Sequence, residues 1–224
     1  MSKVLLSVSK PLLPLFETVA NSIQAIEESN RPNGKIIVHI HRAASSQADL
    51  SEDLKGSRAV TGFTVEDNGI GFNDANFVSF QTPDSKYKAL RNGKGVGRLY
   101  WLKAFEGAHI ESTFIKDEKT YSRVFDFDLP GDGVHDECLV ESTPSGTGTK
   151  ITLSRYLPDY ICPKLYDTLA RKIIEHFLTY FTMDTFPSIY LKDETEGING
   201  RDCHPAVRRR CGRGSSVLVG YGIR

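Results

Sequence analysis

The chain has 224 residues, with 28 basic and 28 acidic side chains and a formal net charge of zero. A hydrophobic fraction of 39% and a charged fraction of 25% fit an ordinary globular protein able to bury one sizeable core. The balanced charge gives no basic excess for nucleic acid or an anionic membrane, and no apolar run approaches the roughly 20 residues of a membrane span.

The opening "MSKVLLSVSKPLLPLF" has no long apolar centre and no small-residue cleavage site, so no signal peptide is expected. Residues 11–29 place Phe16, Val19, Ala20, Ile23 and Ile26 at helical spacing, the core-facing stripe of an amphipathic helix. "KIIVHIHR" at 35–42 has the β-branched density of a strand. The polar stretch 43–57 reads as a loop, and "RAVTGFTVED" as a second strand. A short helix is expected at 73–80. The glycine-punctuated polar stretch 82–95 follows, and then a helix through "VGRLYWLKAFEG" ended by Gly107. Four strand-like stretches come next: "AHIESTFIK", "TYSRVFDFDL", "VHDECLVES" and "GTKITLSRY". A long amphipathic helix over 163–182 and a last strand at 186–193 complete the ordered pattern. Consecutive strands with helices before and after them imply an α+β domain, helices layered on one face of a mixed sheet.

Domain organisation is expected to be a single domain over 1–195. From residue 196 the composition changes, with six Arg and no Lys through to Arg224. That segment reads as a tail, either a basic interaction segment or an end without a native packing partner. The four cysteines, Cys138, Cys162, Cys203 and Cys211, form no CxxC pair. They suggest reduced thiols and a cytoplasmic protein.

Chemistry concentrates in four short stretches. On the first helix Glu17 and Asn21 are four residues apart and share a face. An Asn carbonyl is a hard oxygen donor suited to Mg²⁺ shared with phosphates, and a Glu one turn away can hold and polarise a water. In "TVEDNGIGF" Asp67 stands where the second strand ends, and Gly69 and Gly71 follow. Taken alone this is also the pattern of a turn. An ionised carboxylate accepts hydrogen bonds only, so it matches the exocyclic amino group of adenine and opposes the carbonyl oxygen of guanine. Phe72 either walls that pocket or belongs to the core. In "RNGKGVGRLYWLKAF" Gly93, Gly95 and Gly97 alternate before a helix, where exposed backbone N–H groups bind anions. Lys94 adds a positive charge. In "SGTGTKITLSRY" Thr149 enters a strand behind Gly146 and Gly148, and its hydroxyl could support Asp67 or the base.

Other phosphate and hydrolase motifs are absent. A Walker loop fails because Gly95 follows Gly93-Lys94 and Lys88 stands at the first glycine position. GxGxxG, GxSxG and HExxH do not occur. His39 and His41 alternate on a strand without a third ligand and read as surface or loosely packed residues.

The order E-x-x-x-N-x-x-x-A over Glu17, Asn21 and Ala25, then D-x-G-x-G, then G-x-G-x-G opening a helix, then G-T before a strand, resembles the GHKL ATP-binding superfamily. That group includes gyrase B subunits, ninety-kilodalton heat-shock chaperones, histidine kinases and MutL-type proteins. The resemblance covers residues 17–151 and implies the Bergerat fold, a mixed sheet covered on one face by helices with ATP between the layers. It implies that Asn21 coordinates Mg²⁺ and Glu17 activates the attacking water. It implies that Asp67 reads adenine, with Gly69, Gly71 and Ala25 around it and Thr149 as a buttress. Gly93, Lys94, Gly95, Val96 and Gly97 would contact phosphates, and residues 82–92, with Lys86, would form a lid. Gln24 stands where many members of the gyrase, MutL and chaperone branches carry Asp. Those branches draw a phosphate-contacting Lys from a second domain, so a partner domain or a nucleotide-dependent dimer is expected. A histidine-kinase-type catalytic domain and an interaction module that binds ATP without hydrolysis are the alternatives. Glu17 favours the hydrolase branch, because histidine kinases usually lack that acid.

Overall fold

The structure is a computed structural model, and it describes residues 5–44, 58–82, 97–131, 133–143, 146–182 and 186–193. The first helix, α1 (Leu13–Ser29), has Pro14 in its opening turn and ends at Asn30, which takes the left-handed conformation and returns its N–H to the Glu27 carbonyl. Leu15, Val19, Ile23 and Ile26 form its buried stripe, each contributing roughly 1.5–3 kcal/mol on burial. Two strands follow, β1 (Lys35–Arg42) and β2 (Val60–Asp67), then the short helix α2 (Asp74–Gln81). Asn73 caps α2 by accepting the Asn76 N–H at 2.9 Å, the usual role of Asn at a helix start.

Helix α3 (Gly97–Ala104) runs directly into strand β3 (Phe105–Lys116). The expected helix end at Gly107 is therefore corrected. Phe105 is buried against Tyr156 with ring centroids 4.1 Å apart, and Gly107 pairs with Asp128 and Ser154 inside the sheet. Burial of Phe105 in the sheet overrides the helical pattern. Strands β4 (Lys119–Asp128), β5 (Gly133–Glu141) and β6 (Gly148–Tyr156) follow. Helix α4 (Tyr166–Phe177) is shorter than the 163–182 expected, and a 3-10 turn occupies Tyr180–Thr182. Phe177 is its last buried residue. Beyond it the chain folds back, with the Tyr180 ring 6.0 Å from Phe177 and Phe181 4.7 Å from Phe186. Strand β7 (Ser188–Asp193) closes the pattern.

The seven strands form one sheet in the order β5-β4-β3-β6-β2-β1-β7. All neighbours are antiparallel except β1 and β7, so the sheet is mixed and the fold is α+β. Period-two alternation sends Ile36, Val38, Ile40, Phe63, Val65, Ile151, Leu153, Ile110 and Phe125 to one face, where they join the α1 stripe, Trp101, Leu169 and Ile173 in one core. The opposite face is polar. His41 meets Thr64 at 2.7 Å, His109 meets Asp126 at 2.7 Å, and Lys150 meets Glu111 at 3.0 Å. Among the described residues no helix is long and apolar enough to cross a membrane. The tail from 196, Cys203 and Cys211 lie outside the described residues.

Candidate functional site

Register places one polar row across the core face of the sheet. Asp67 stands opposite Thr149, Thr149 opposite Ser112, and Ser112 opposite Arg123. Two residues inward the equivalent row is Val65, Ile151, Ile110 and Phe125, all apolar. The sheet thus changes from oil to hydrogen-bonding groups at one end, beneath α1 and the loop 68–73.

Asp67 is the anchor. Its Oδ2 accepts from Ser22 Oγ at 2.8 Å, its Oδ1 accepts the Gly69 N–H at 2.9 Å, and the Thr149 backbone N–H adds a third bond. Burial nevertheless pushes its carboxyl up from 3.8 to about 6, outweighing those bonds. A carboxylate held this close to neutrality among polar neighbours marks a functional-site candidate.

The loop after Asp67 is not a hairpin turn. Asn68 acts as a clip, accepting the Lys35 N–H at 2.8 Å and donating to the Asn33 carbonyl at 2.9 Å. Gly69 lies so close to α1 that a Cβ there would sit 2.6 Å from the Ala25 carbonyl carbon, and the Ile70 N–H bonds the Ala25 carbonyl at 3.0 Å. The small side chain at 25 and the glycine at 69 are therefore two halves of one contact. Gly71 has φ +81°, and a Cβ there would meet the Thr113 carbonyl oxygen at 2.3 Å, so only glycine fits. Phe72 packs edge-on against Phe80 and Phe125 at 5.5 Å and belongs to the core.

The far half of the polar row holds this loop by its backbone. Ser112 Oγ accepts the Phe72 N–H at 2.8 Å, donates to the Gly148 carbonyl at 2.9 Å, and lies 3.1 Å from Thr149 Oγ1. Arg123 is 3% exposed, donates to the Phe72 carbonyl at 2.7 Å and to Asp74 at 2.6 Å, and lies over the Phe77 ring at 4.4 Å. Lys116 and Arg123 hold the Asp74 carboxyl below the usual range. Thr147 Oγ1 donates to the Gly69 carbonyl at 2.6 Å and accepts from Arg31 at 2.9 Å.

On α1, Glu17 is half-buried, and burial raises its carboxyl above the ordinary value. A Cβ on Gly97, the first residue of α3, would sit 2.5 Å from Glu17 Oε2. Glu17 therefore abuts the start of the helix that follows the glycine-rich stretch. Asn21 lies one turn on, half-buried and adjacent in the chain to Ser22. Among the described residues no group of three or more His, Cys, Asp or Glu side chains could hold a metal ion.

Of the residues singled out from sequence, Asp67, Gly69, Ala25 and Thr149 form one cluster, and Glu17 meets Gly97 along the same helix. Lys86, Gly93, Lys94, Gly95 and Val96 lie outside the described residues, as do residues 83–92 of the expected lid. Ser22, Ser112, Arg123 and Thr147 were not foreseen. One had a signal: in "TYSRVFDFDL" Arg123 shares the inward register of Phe125 and Phe127.

No family model matches the chain, and no curated protein does. In fold it is similar to the ATPase region of Saccharomyces cerevisiae topoisomerase II bound to ICRF-187 (dexrazoxane), at 14% identity and a TM-score of 0.54, over 80% of this chain and 47% of that one. A second structure of that ATPase region gives 15% identity and a TM-score of 0.53 over the same shares. The chain thus spans about half the length of these structures (47%), and at this identity the likeness is one of fold alone.

Proposed function

We propose that this chain is an ATP-binding, Mg²⁺-dependent ATPase module, with its nucleotide between α1 and the polar end of the sheet. The observation that carries the reading is the Asp67 carboxylate, half-buried, oriented by Ser22 and the Gly69 N–H, and set against the helix that bears Asn21 and Glu17. An ionised carboxylate in that position accepts a hydrogen bond from the exocyclic amino group of adenine. The fold shared with a topoisomerase II ATPase region supports the same assignment.

The remaining roles follow from chemistry along α1. The Asn21 carbonyl supplies a hard oxygen of the kind Mg²⁺ takes. When bound, Mg²⁺ neutralises charge on the phosphates. Glu17 holds the attacking water and accepts its proton, a task suited to a carboxyl whose basicity burial has raised. Gly97 and the glycines before it, with Lys94, contact the phosphates. Residues 82–92, with Lys86, close over the nucleotide, and Thr149 braces Asp67. A partner domain or a second chain supplies a further cation for hydrolysis.

Thermal melts with and without MgATP, MgADP and MgGTP, followed by phosphate release, test the reading. Adenine nucleotides should raise the melting temperature and GTP should not. Equal shifts from ATP and GTP would remove the role of Asp67. Binding without release, even with a partner present, would leave a nucleotide-responsive interaction module.

A further inference from the structure

Ser22 is 2% exposed, and its hydroxyl donates to Asp67 Oδ2 at 2.8 Å. The other groups facing the carboxylate are the Gly69 N–H of its own loop and the Thr149 backbone N–H of β6. From β1 the opposing residue is Ile36. Charged neighbours turn away. Glu66 lies on the other face, 3.6 Å from His39, Lys150 on that face reaches Glu111, and Lys35 lies over the Tyr190 ring. Among the described residues Ser22 is thus the side-chain donor to Asp67.

A carboxyl group has two hydrogen-bonding senses. Ionised, it only accepts; protonated, it carries an O–H that can donate to a carbonyl oxygen. A donor to the ionised form favours that form. We propose that Ser22 is a positioning residue, holding Asp67 as an oriented, acceptor-only carboxylate and so setting the preference for an exocyclic amino group over a ring carbonyl. The inference rests on the nucleotide reading of Asp67. Burial already holds the carboxyl at about 6, so loss of one donor carries it into the neutral range.

The test has two readouts on the full chain. In the first, carboxyl carbon NMR follows Asp67 without nucleotide. A hydrogen bond to a charged group is worth about tenfold or more in an equilibrium constant, so Ser22→Ala should raise the midpoint by about one unit or more. Ser22→Cys, a weaker donor of similar size, should fall between. The second readout is the ratio of ATP to ITP affinity from pH 5.5 to 8.5. The two share a triphosphate and differ in the amino or carbonyl group, so phosphate titration cancels. The parent ratio should fall below about pH 6 and the Ser22→Ala ratio below about pH 7, a roughly threefold difference near pH 6.5. An unchanged midpoint in Ser22→Ala, with the adenine preference of the parent intact, overturns the role of Ser22 alone. A parent that binds ATP and ITP equally at pH 8 overturns the nucleotide reading and, with it, the preference assigned here.

Discussion

Asp67→Asn separates what the carboxylate costs the fold from what it contributes to binding. In the folded chain the group lies at about 6 against an ordinary 3.8, so the native state holds the proton more readily than the unfolded state. The stabilising effect of the protonated form is complete below about pH 3.8 and is lost as the pH rises through about 6. Above that, the ionised carboxylate costs the native state roughly 3 kcal/mol, about two units at 1.36 kcal/mol each. Asn removes the charge. Its carbonyl still accepts the Gly69 N–H and its amide can face Ser22 Oγ, while the bond from Thr149 is forfeited at about 1 kcal/mol. The variant should therefore be more stable than the parent by about 1–2 kcal/mol at pH 7.5, a melting shift of several degrees for a chain of this size. The difference should shrink towards pH 4. Melts across pH 4.5–8 without nucleotide are the assay. An Asn variant that melts below the parent at pH 7.5, or a difference that does not change with pH, refutes the account of burial at Asp67.

Asn21→Ala should remove the Mg²⁺-dependent part of nucleotide affinity, read as the difference between calorimetric titrations with Mg²⁺ and with chelator; equal differences in parent and variant would return Asn21 to the helix surface. Glu17→Ala should keep ATP bound and lower phosphate release by about 10²- to 10⁴-fold, measured under conditions where the parent turns over; an unchanged rate would assign the base elsewhere. Gly71→Ala should destabilise the fold by about 2 kcal/mol or more, since φ +81° and the Thr113 carbonyl both oppose a side chain, and a denaturant melt checks this.

The strands and α1 were legible because period two and period 3.6 repeat over enough residues to specify a face. The junction at Ala104 was not, because Phe105 is drawn into the sheet by burial against Tyr156 that only the folded chain creates. Asp67, Gly69 and Ala25 were legible as separate signals, but their mutual packing was not, since Ala25 and Gly69 meet across 44 residues of chain. Ser22 resembled any small helix residue, and nothing in its neighbours announces a bond to Asp67. Asn68 and Gly69 had the composition of a hairpin turn, yet Asn68 clips to the segment before β1 and the chain continues into α2.

The central claim is that the site around Asp67 takes adenine nucleotides. Isothermal titration of the 224-residue chain and of its Asp67→Asn variant with ATP and GTP, in Mg²⁺ at pH 7.5, tests it most directly. The account predicts saturable heat from ATP with the parent, markedly weaker binding with the folded variant, and GTP bound far less well by the parent. Absence of ATP binding by the folded parent, or equal affinity for ATP and GTP, contradicts it.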